Sequence, residues 1–359
     1  MTEIWLNYGM TKVVLDIRAE NMGQRIDSAG DTLEDNAINE LLGGLDMKRP
    51  VELIVLHDSQ SVRRIISSLF MICEKSSLPF PKILSDKKVM GQIRAGLPEG
   101  STVSEFTSSD MSSDLVFVGE VEFDGLFGYE TVSTRLLKRF GQESMLSAYA
   151  RRKSNIPAPG QATDSFADAT KFVDGFEIQA VELASNSSGI ANLAVGHPSK
   201  TSSMTKTLES FATREVEKQK SMIISTGKSA SNESLSKSLS SLWNCMPAMK
   251  KDGLAILVAE CQNGLGSDAL QLYIEDRLTP AQLKNPTRYV EGMENLLYLN
   301  EMREYFQVGI VSILPEFYTK KLNMIPLYGV KESMDYILKT QGSGQKVTVV
   351  SDGARLLLR

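Results

Sequence analysis

Short runs dominated by apolar residues recur along the chain: Val51–Leu56, Asp114–Val118, Ser221–Thr226, Leu254–Ala259, Val308–Ile313 and Lys346–Val350. Continuous runs of this length suit strands covered on both faces. Phe176–Leu183 alternates as a half-buried strand does, and Lys82–Leu84, Val103–Phe106 and Ile190–Gly196 read as shorter strands. Trp5–Tyr8 and Thr11–Ile17 flank Gly9 and predict a hairpin at the start. Helical spacing predicts helices over Thr32–Leu42 (ending at Gly43-Gly44), Val62–Lys75, Leu136–Ala150, Ser234–Cys245 and Lys331–Thr340. Ser154–Ser165, with Pro157, Pro159 and Gly160, reads as a loop, and the charged, helix-like Ser203–Lys220 as the connection between domains. Strands alternating with helices predict an α/β architecture with mostly parallel sheets. No repeat of fixed period is visible.

Gly253–Leu270 is the sharpest strand–loop–helix unit. After the apolar run, Asn263, Gly264 and Gly266 break the pattern, and Ser267 or Asp268 can cap the next helix. Free N–H groups at such a helix start attract anions, and the loop falls at the carboxyl end of a parallel strand, where ligands bind in open α/β sheets. A helix cap without a ligand gives the same pattern.

A chain of 359 residues exceeds one typical core and predicts two domains, here 1–218 and 219–359, with the last strand, 346–350, able to pack back towards the first. The formal charge of −5 gives no basic footprint for nucleic acid, and clusters such as Arg135, Lys138 and Arg139 or Arg151–Lys153 read as solvated helix faces. Cys73, Cys245 and Cys261 have no metal spacing and fit reduced thiols. No charged leader precedes an apolar core, and no apolar run approaches a bilayer span, so a soluble, cytoplasmic protein without membrane contact is expected.

Thr226-Gly227-Lys228-Ser229 mimics a phosphate loop, but Met222 stands where that motif needs its first glycine. A strand–helix turn, or an anion site without hydrolysis, is the better reading. His57 ends a strand beside Asp58, which could orient it as acid or base, although a structural histidine fits as well. His197 sits in a turn, far from His57, and the two form no zinc pattern. No Gly-x-Ser-x-Gly elbow supports a serine hydrolase. The sixteen methionines are scattered and read as core.

Taken in order, several segments resemble the nickel-pincer lactate racemase (LarA-type) family. Leu6-Asn7-Tyr8-Gly9 through Asp16–Asn21 is similar to its N-terminal strands, and Val51–Ser61 to a strand ending in Asp-His-Thr-Arg-Pro. Asp114–Tyr129 is similar to its Asp-Leu-Leu strand and Phe-x-Gly-Phe loop. Ile223–Leu242 and Gly253–Gly266 resemble the openings of its second domain, and Lys346–Gly353 its last strand. The resemblance spans nearly the whole chain. It implies two α/β domains with an interdomain cleft, holding a nickel pincer nucleotide tethered to lysine that takes a hydride from a 2-hydroxy acid, with histidines as ligand and base.

Asp58 matches that motif's aspartate, but Ser59 replaces its histidine and Ser61 its arginine; Arg63 or Arg64 could supply a guanidinium nearby. The lysine-bearing loop is absent, leaving Arg135 and Lys138 as the nearest basic residues. Neither histidine occupies a matching position, so the cofactor is doubtful and the nickel chemistry is expected to be lost or altered. The expectation is a racemase-like protein that binds a small anionic metabolite, a hydroxy acid or a phosphate-bearing ligand, in the cleft. Candidate lining residues are Asp58, Ser59, Ser61, Arg63, Lys228, Asn232, Gly264, Gly266 and Ser267. The alternatives are an active 2-hydroxy acid racemase or epimerase using His57, Asp58 and Lys138, and a regulatory or partner-binding scaffold.

Overall fold

The computed structural model describes residues 2–87, 89–95, 97, 101–107, 114–152, 156–228 and 230–359; Lys153, Ser154 and Ser229 of the sequence reading lie outside them. Two six-stranded sheets organise the chain. The first runs, in spatial order, Gly189–Gly196, Gln179–Asn186, Leu115–Glu120, Glu52–Val55, Lys82–Ser85 and Val103–Glu105. All its pairings are parallel except that of Gly189–Gly196, which turns back tightly on its neighbour. The second runs Ile325–Leu327, Phe306–Val311, Met249–Val258, Gln219–Ser225, Val347–Val350 and Met22–Ile26, parallel throughout. The apolar runs form the central strands, as burial on both faces requires: every residue of Leu115–Glu120 is buried.

Helix Gln60–Ser76 lies on the first sheet. Ser59 caps it, its side chain accepting from the Val62 N–H at 3.1 Å, and Val62, Ile65, Ile66, Leu69 and Cys73 form its buried stripe. The helix expected over Leu136–Ala150 begins earlier, at Val132, and is two helices, Val132–Phe140 and Gln142–Ala150. Gly141 divides them because it leaves helical geometry at φ −98°, ψ 54°, where a Cβ would sit 2.7 Å from Leu137 Cδ1. The loop expected to Ser165 ends sooner, since Thr163 caps helix Asp164–Val173. The connection expected as one helix over Ser203–Lys220 is helix Met204–Ala212 followed by Thr213–Arg214, which pairs with Leu357–Leu358.

The two sheets are stitched together at several points. Val347–Val350 lies inside the second sheet, and Met22–Ile26 from the N-terminal segment extends that sheet beyond it. The small hairpin Glu122–Asp124 and Gly128–Glu130 leaves the end of the first sheet and sinks its turn into the second half. There Tyr298 donates to the Gly125 carbonyl at 3.0 Å, and a Cβ on Gly125 would meet Tyr298 and Pro157 at 3.0 and 3.2 Å. Leu126 and Phe127 share one buried cluster with Leu239, Leu242 and Trp243. The opening hairpin, Thr2–Tyr8 with Thr11–Ile17, covers the other face of the second sheet. No helix among the described residues is long and apolar enough to cross a membrane.

Candidate functional site

The carboxyl ends of the central strands of both sheets meet around the small hairpin, and buried polar residues gather there. Beyond Glu52–Val55, the His57 ring accepts the Glu120 N–H at its Nε2 (3.3 Å), which puts the proton of the neutral ring on Nδ1. Nδ1 is buried and has no partner. Burial, with Arg135 and Lys237 nearby, lowers the His57 pKa well below the ordinary value, so the imidazole is neutral at physiological pH. Asp58 is buried and accepts one edge of the Arg63 guanidinium, Nε and one terminal nitrogen, on its two oxygens, with Nε at 2.6 Å. Ser61 accepts from the Ser185 hydroxyl at 2.8 Å, and Arg64 pairs with Asp35.

The following strand end and hairpin contribute a carboxylate-rich network. Arg135 donates to the Glu120 carbonyl at 2.7 Å and to Glu122 at 2.9 Å, and lies 3.4 Å from Glu130. Lys138 bridges Asp124 at 3.0 Å and Glu130 at 3.3 Å. These contacts hold the hairpin against helix Val132–Phe140. Desolvation, with Glu120 and Glu130 adding to it against the pull of Arg135, raises Glu122 to about 7. Glu130 is held below the usual range because Lys138 and Arg135 outweigh its burial. Glu294 is raised to about 7, chiefly by burial, and accepts from the Tyr289 hydroxyl at 2.9 Å.

Across the seam, Arg355 lies 3.6 Å from Glu120 Oε1 and 3.8 Å from Asp352 Oδ2. Ser28 donates to Asp352 Oδ2 at 2.6 Å. Gly227 has φ +99°, and a Cβ there would fall 1.9 Å from Asp352 Oδ1, so glycine is needed on both counts. Asn232 donates through Nδ2 to the Gly227 carbonyl, and Lys228 between them is exposed. Unpartnered atoms remain on buried side chains here: Glu120 Oε2, Asn232 Oδ1 and Asp352 Oδ1, besides His57 Nδ1. Buried polar atoms in folded proteins are nearly always bonded, so such a concentration calls for an explanation.

The sequence-predicted residues therefore divide. His57, Asp58, Arg63, Lys228 and Asn232 reach the seam, whereas Ser59 and Ser61 spend their hydroxyls within the first sheet's helix layer. Gly264, Gly266 and Ser267 have local uses. Gly264 and Gly266 adopt φ +73° and +76°, and the carbonyls of Gly264 and Leu265 accept the N–H groups of Leu235 and Ser236 at 3.0 Å. The loop thus occupies the start of helix Leu235–Cys245, and Ser267 caps helix Asp268–Ile274. Lys138 is ion-paired on two sides. Sequence reasoning missed Glu120, Glu122, Glu294 and Arg355, and named Asp352 only as part of the last strand. The terminal carboxylate of the apolar strand Leu115–Glu120 was a readable signal; nothing local marks Glu294.

His197 lies at the opposite end of the first sheet. Its ring bonds Ser199 Oγ at 2.8 Å and the Phe176 carbonyl at 3.0 Å, beside a surface groove of about 490 Å³. That groove faces the amino ends of the parallel strands, away from the seam. Among the described residues, no three His, Cys, Asp or Glu side chains are arranged to hold a metal ion.

No model of a known protein family matches the chain, and no curated protein matches it. Solved structures do. The lactate racemase apoprotein from Thermoanaerobacterium thermosaccharolyticum is similar over 100% of both chains at 15% identity, with a TM-score of 0.74. A protein from Thermotoga maritima is similar over 93% of this chain and 99% of its own at 9% identity, with a TM-score of 0.66. The chain has a lactate racemase-like fold.

Proposed function

We propose that this protein uses a lactate racemase-like scaffold to bind a small metabolite at the seam between its sheets. The supporting observation is the set of unpartnered buried atoms of His57, Glu120, Asn232 and Asp352 at the carboxyl ends of the central strands. The ligand's anionic group, a carboxylate or phosphate, falls to exposed Lys228 and the His57 Nδ1–H. The residues do not fit a nickel pincer nucleotide. His57 is the one imidazole near the seam, His197 is at the far end of the sheet, and the Lys138 amine is engaged by Asp124 and Glu130. The test is a thermal-shift panel of small hydroxy acids, amino acids and phosphates. A compound at 100 times its Kd stabilises by roughly 2.7 kcal/mol. Lys228→Ala weakens the response without unfolding the protein; an unchanged affinity removes Lys228 from the site.

A second reading keeps acid–base catalysis. Glu122 is raised to about 7 while Glu130, on the same arginine, is held low, and carboxylates pushed apart in this way suit acid and base roles. It predicts exchange of the α-proton of a hydroxy acid in heavy water, followed by NMR. No exchange across the panel refutes it.

A further inference from the structure

We infer that Asn263 is a site of spontaneous covalent modification: attack by the Gly264 backbone nitrogen converts it to aspartate and isoaspartate, and the isoaspartate loosens the start of helix Leu235–Cys245. Asparagine is a chemically labile side chain, and Asn263 is the only asparagine in the sequence that precedes a glycine. Glycine carries no side chain to shield its nitrogen, and a Cβ on Gly264 would meet nothing within 4 Å, so the site is open. The Asn263 side chain is exposed, and the bonds that shape this loop are made by backbone groups. One turn bond restrains the attacking nitrogen, from the Gly264 N–H to the Cys261 carbonyl at 2.9 Å. A turn at the surface opens locally without global unfolding.

The step needs no co-reactant but water. The Gly264 nitrogen gives its proton to solvent and bonds to Asn263 Cγ; the Cγ–Nδ2 bond breaks and the amide leaves as ammonia, closing a cyclic imide. Water then opens the ring. Cleavage at Cγ yields aspartate, and cleavage at the main-chain carbonyl yields isoaspartate, whose backbone runs through the side chain and is longer by one methylene. The two products have different consequences. Ser234 makes no side-chain cap; instead the Gly264 and Leu265 carbonyls accept the Leu235 and Ser236 N–H groups at 3.0 Å, and the Asn263 N–H donates to the Glu233 carbonyl at 2.7 Å. A methylene added between Asn263 and Gly264 falls inside this set of bonds and displaces the carbonyl that satisfies the helix start. Ordinary aspartate keeps the backbone and adds negative charge near a helix N-terminus, where it is favourable.

The experiment incubates the folded full-length protein at pH 8 and follows it by peptide mapping, with a methyltransferase specific for L-isoaspartyl carboxylates as the probe. Asn263 is expected to be the first asparagine converted, at least tenfold faster than any other, and Asn263→Gln to remove the isoaspartyl signal. In urea, the aged protein is expected to unfold at a lower midpoint in proportion to its isoaspartate content, while Asn263→Asp matches or exceeds wild type. Earlier conversion of another asparagine, or conversion of Asn263 only in the urea-unfolded chain, would overturn the site. Equal midpoints for the aged protein and Asn263→Asp would overturn the effect on the helix start.

Discussion

Lys138 tests whether the hairpin network is structural or chemical. Its amine lies 3.0 Å from Asp124 and 3.3 Å from Glu130, and 5.2 Å from the centre of the Phe127 ring. Lys138→Met keeps the length of the side chain and removes the charge. Breaking a fully buried ion pair costs about 3–5 kcal/mol. Here Lys138 and Glu130 retain 21% and 24% exposure, and Asp124 still accepts the N–H groups of Leu126 and Phe127 at 2.8 and 2.7 Å. Partial screening and those bonds bring the expectation to about 2–3 kcal/mol, including about 0.5–1 from the ring contact. Urea unfolding at pH 8 measures it as a lower midpoint at unchanged slope. The pH dependence carries the sign. Without the ammonium, Glu130 loses the strongest charge holding its folded pKa down, so the folded state takes up a proton more readily and the deficit shrinks as pH falls from 8 to 5.5. A variant within about 0.5 kcal/mol of wild type at pH 8, or a deficit that grows on acidification, refutes a structural role.

Glu294→Gln should flatten stability between pH 5 and 8. A carboxyl raised to about 7 in the folded state contributes stability that is full below its unfolded value near 4.5 and is lost as pH rises to 7, and the amide has no such loss. Denaturation midpoints at pH 5, 6, 7 and 8 check this, and parallel curves for the two proteins would count against it. Phe127→Ala should cost about 3–5 kcal/mol, because the ring is fully buried in a cluster that joins the second sheet to helices of the N-terminal half. Calorimetry should show both halves still melting in one transition; a loss below about 1 kcal/mol would mean the hairpin does not anchor them.

Much of the fold was legible because both-face burial writes itself into sequence as apolar runs. Val51–Leu56, Ser221–Thr226 and Leu254–Ala259 all became central strands. What escaped lacked that periodic signal. Met22–Ile26 is a polar edge strand whose one buried residue is Ile26, and helix Met293–Met302 is buried on most sides, so no polar stripe marks it. Gly141 and Thr163 are ordinary residues until their backbone geometry is known. At the site, His57 and Asp58 were visible as polar residues ending a strand. Glu294 and Arg355 enter through tertiary packing alone, and Gly264, Gly266 and Ser267 show that a glycine-rich loop can be committed to closing a helix start.

The shared core changes how a ligand can reach the seam. Two domains joined by a flexible segment could close on a ligand by hinge motion. Here Phe127 and Leu126 from one half sit among Leu239, Leu242 and Trp243 of the other, and Met22–Ile26 is hydrogen-bonded into the far sheet. Opening such a hinge would expose buried rings and break sheet pairing, so the two halves behave as one packed body around the hairpin. In the binding reading proposed above, a rigid seam favours recognition of a small ligand by charge and hydrogen-bond direction over enclosure by domain closure.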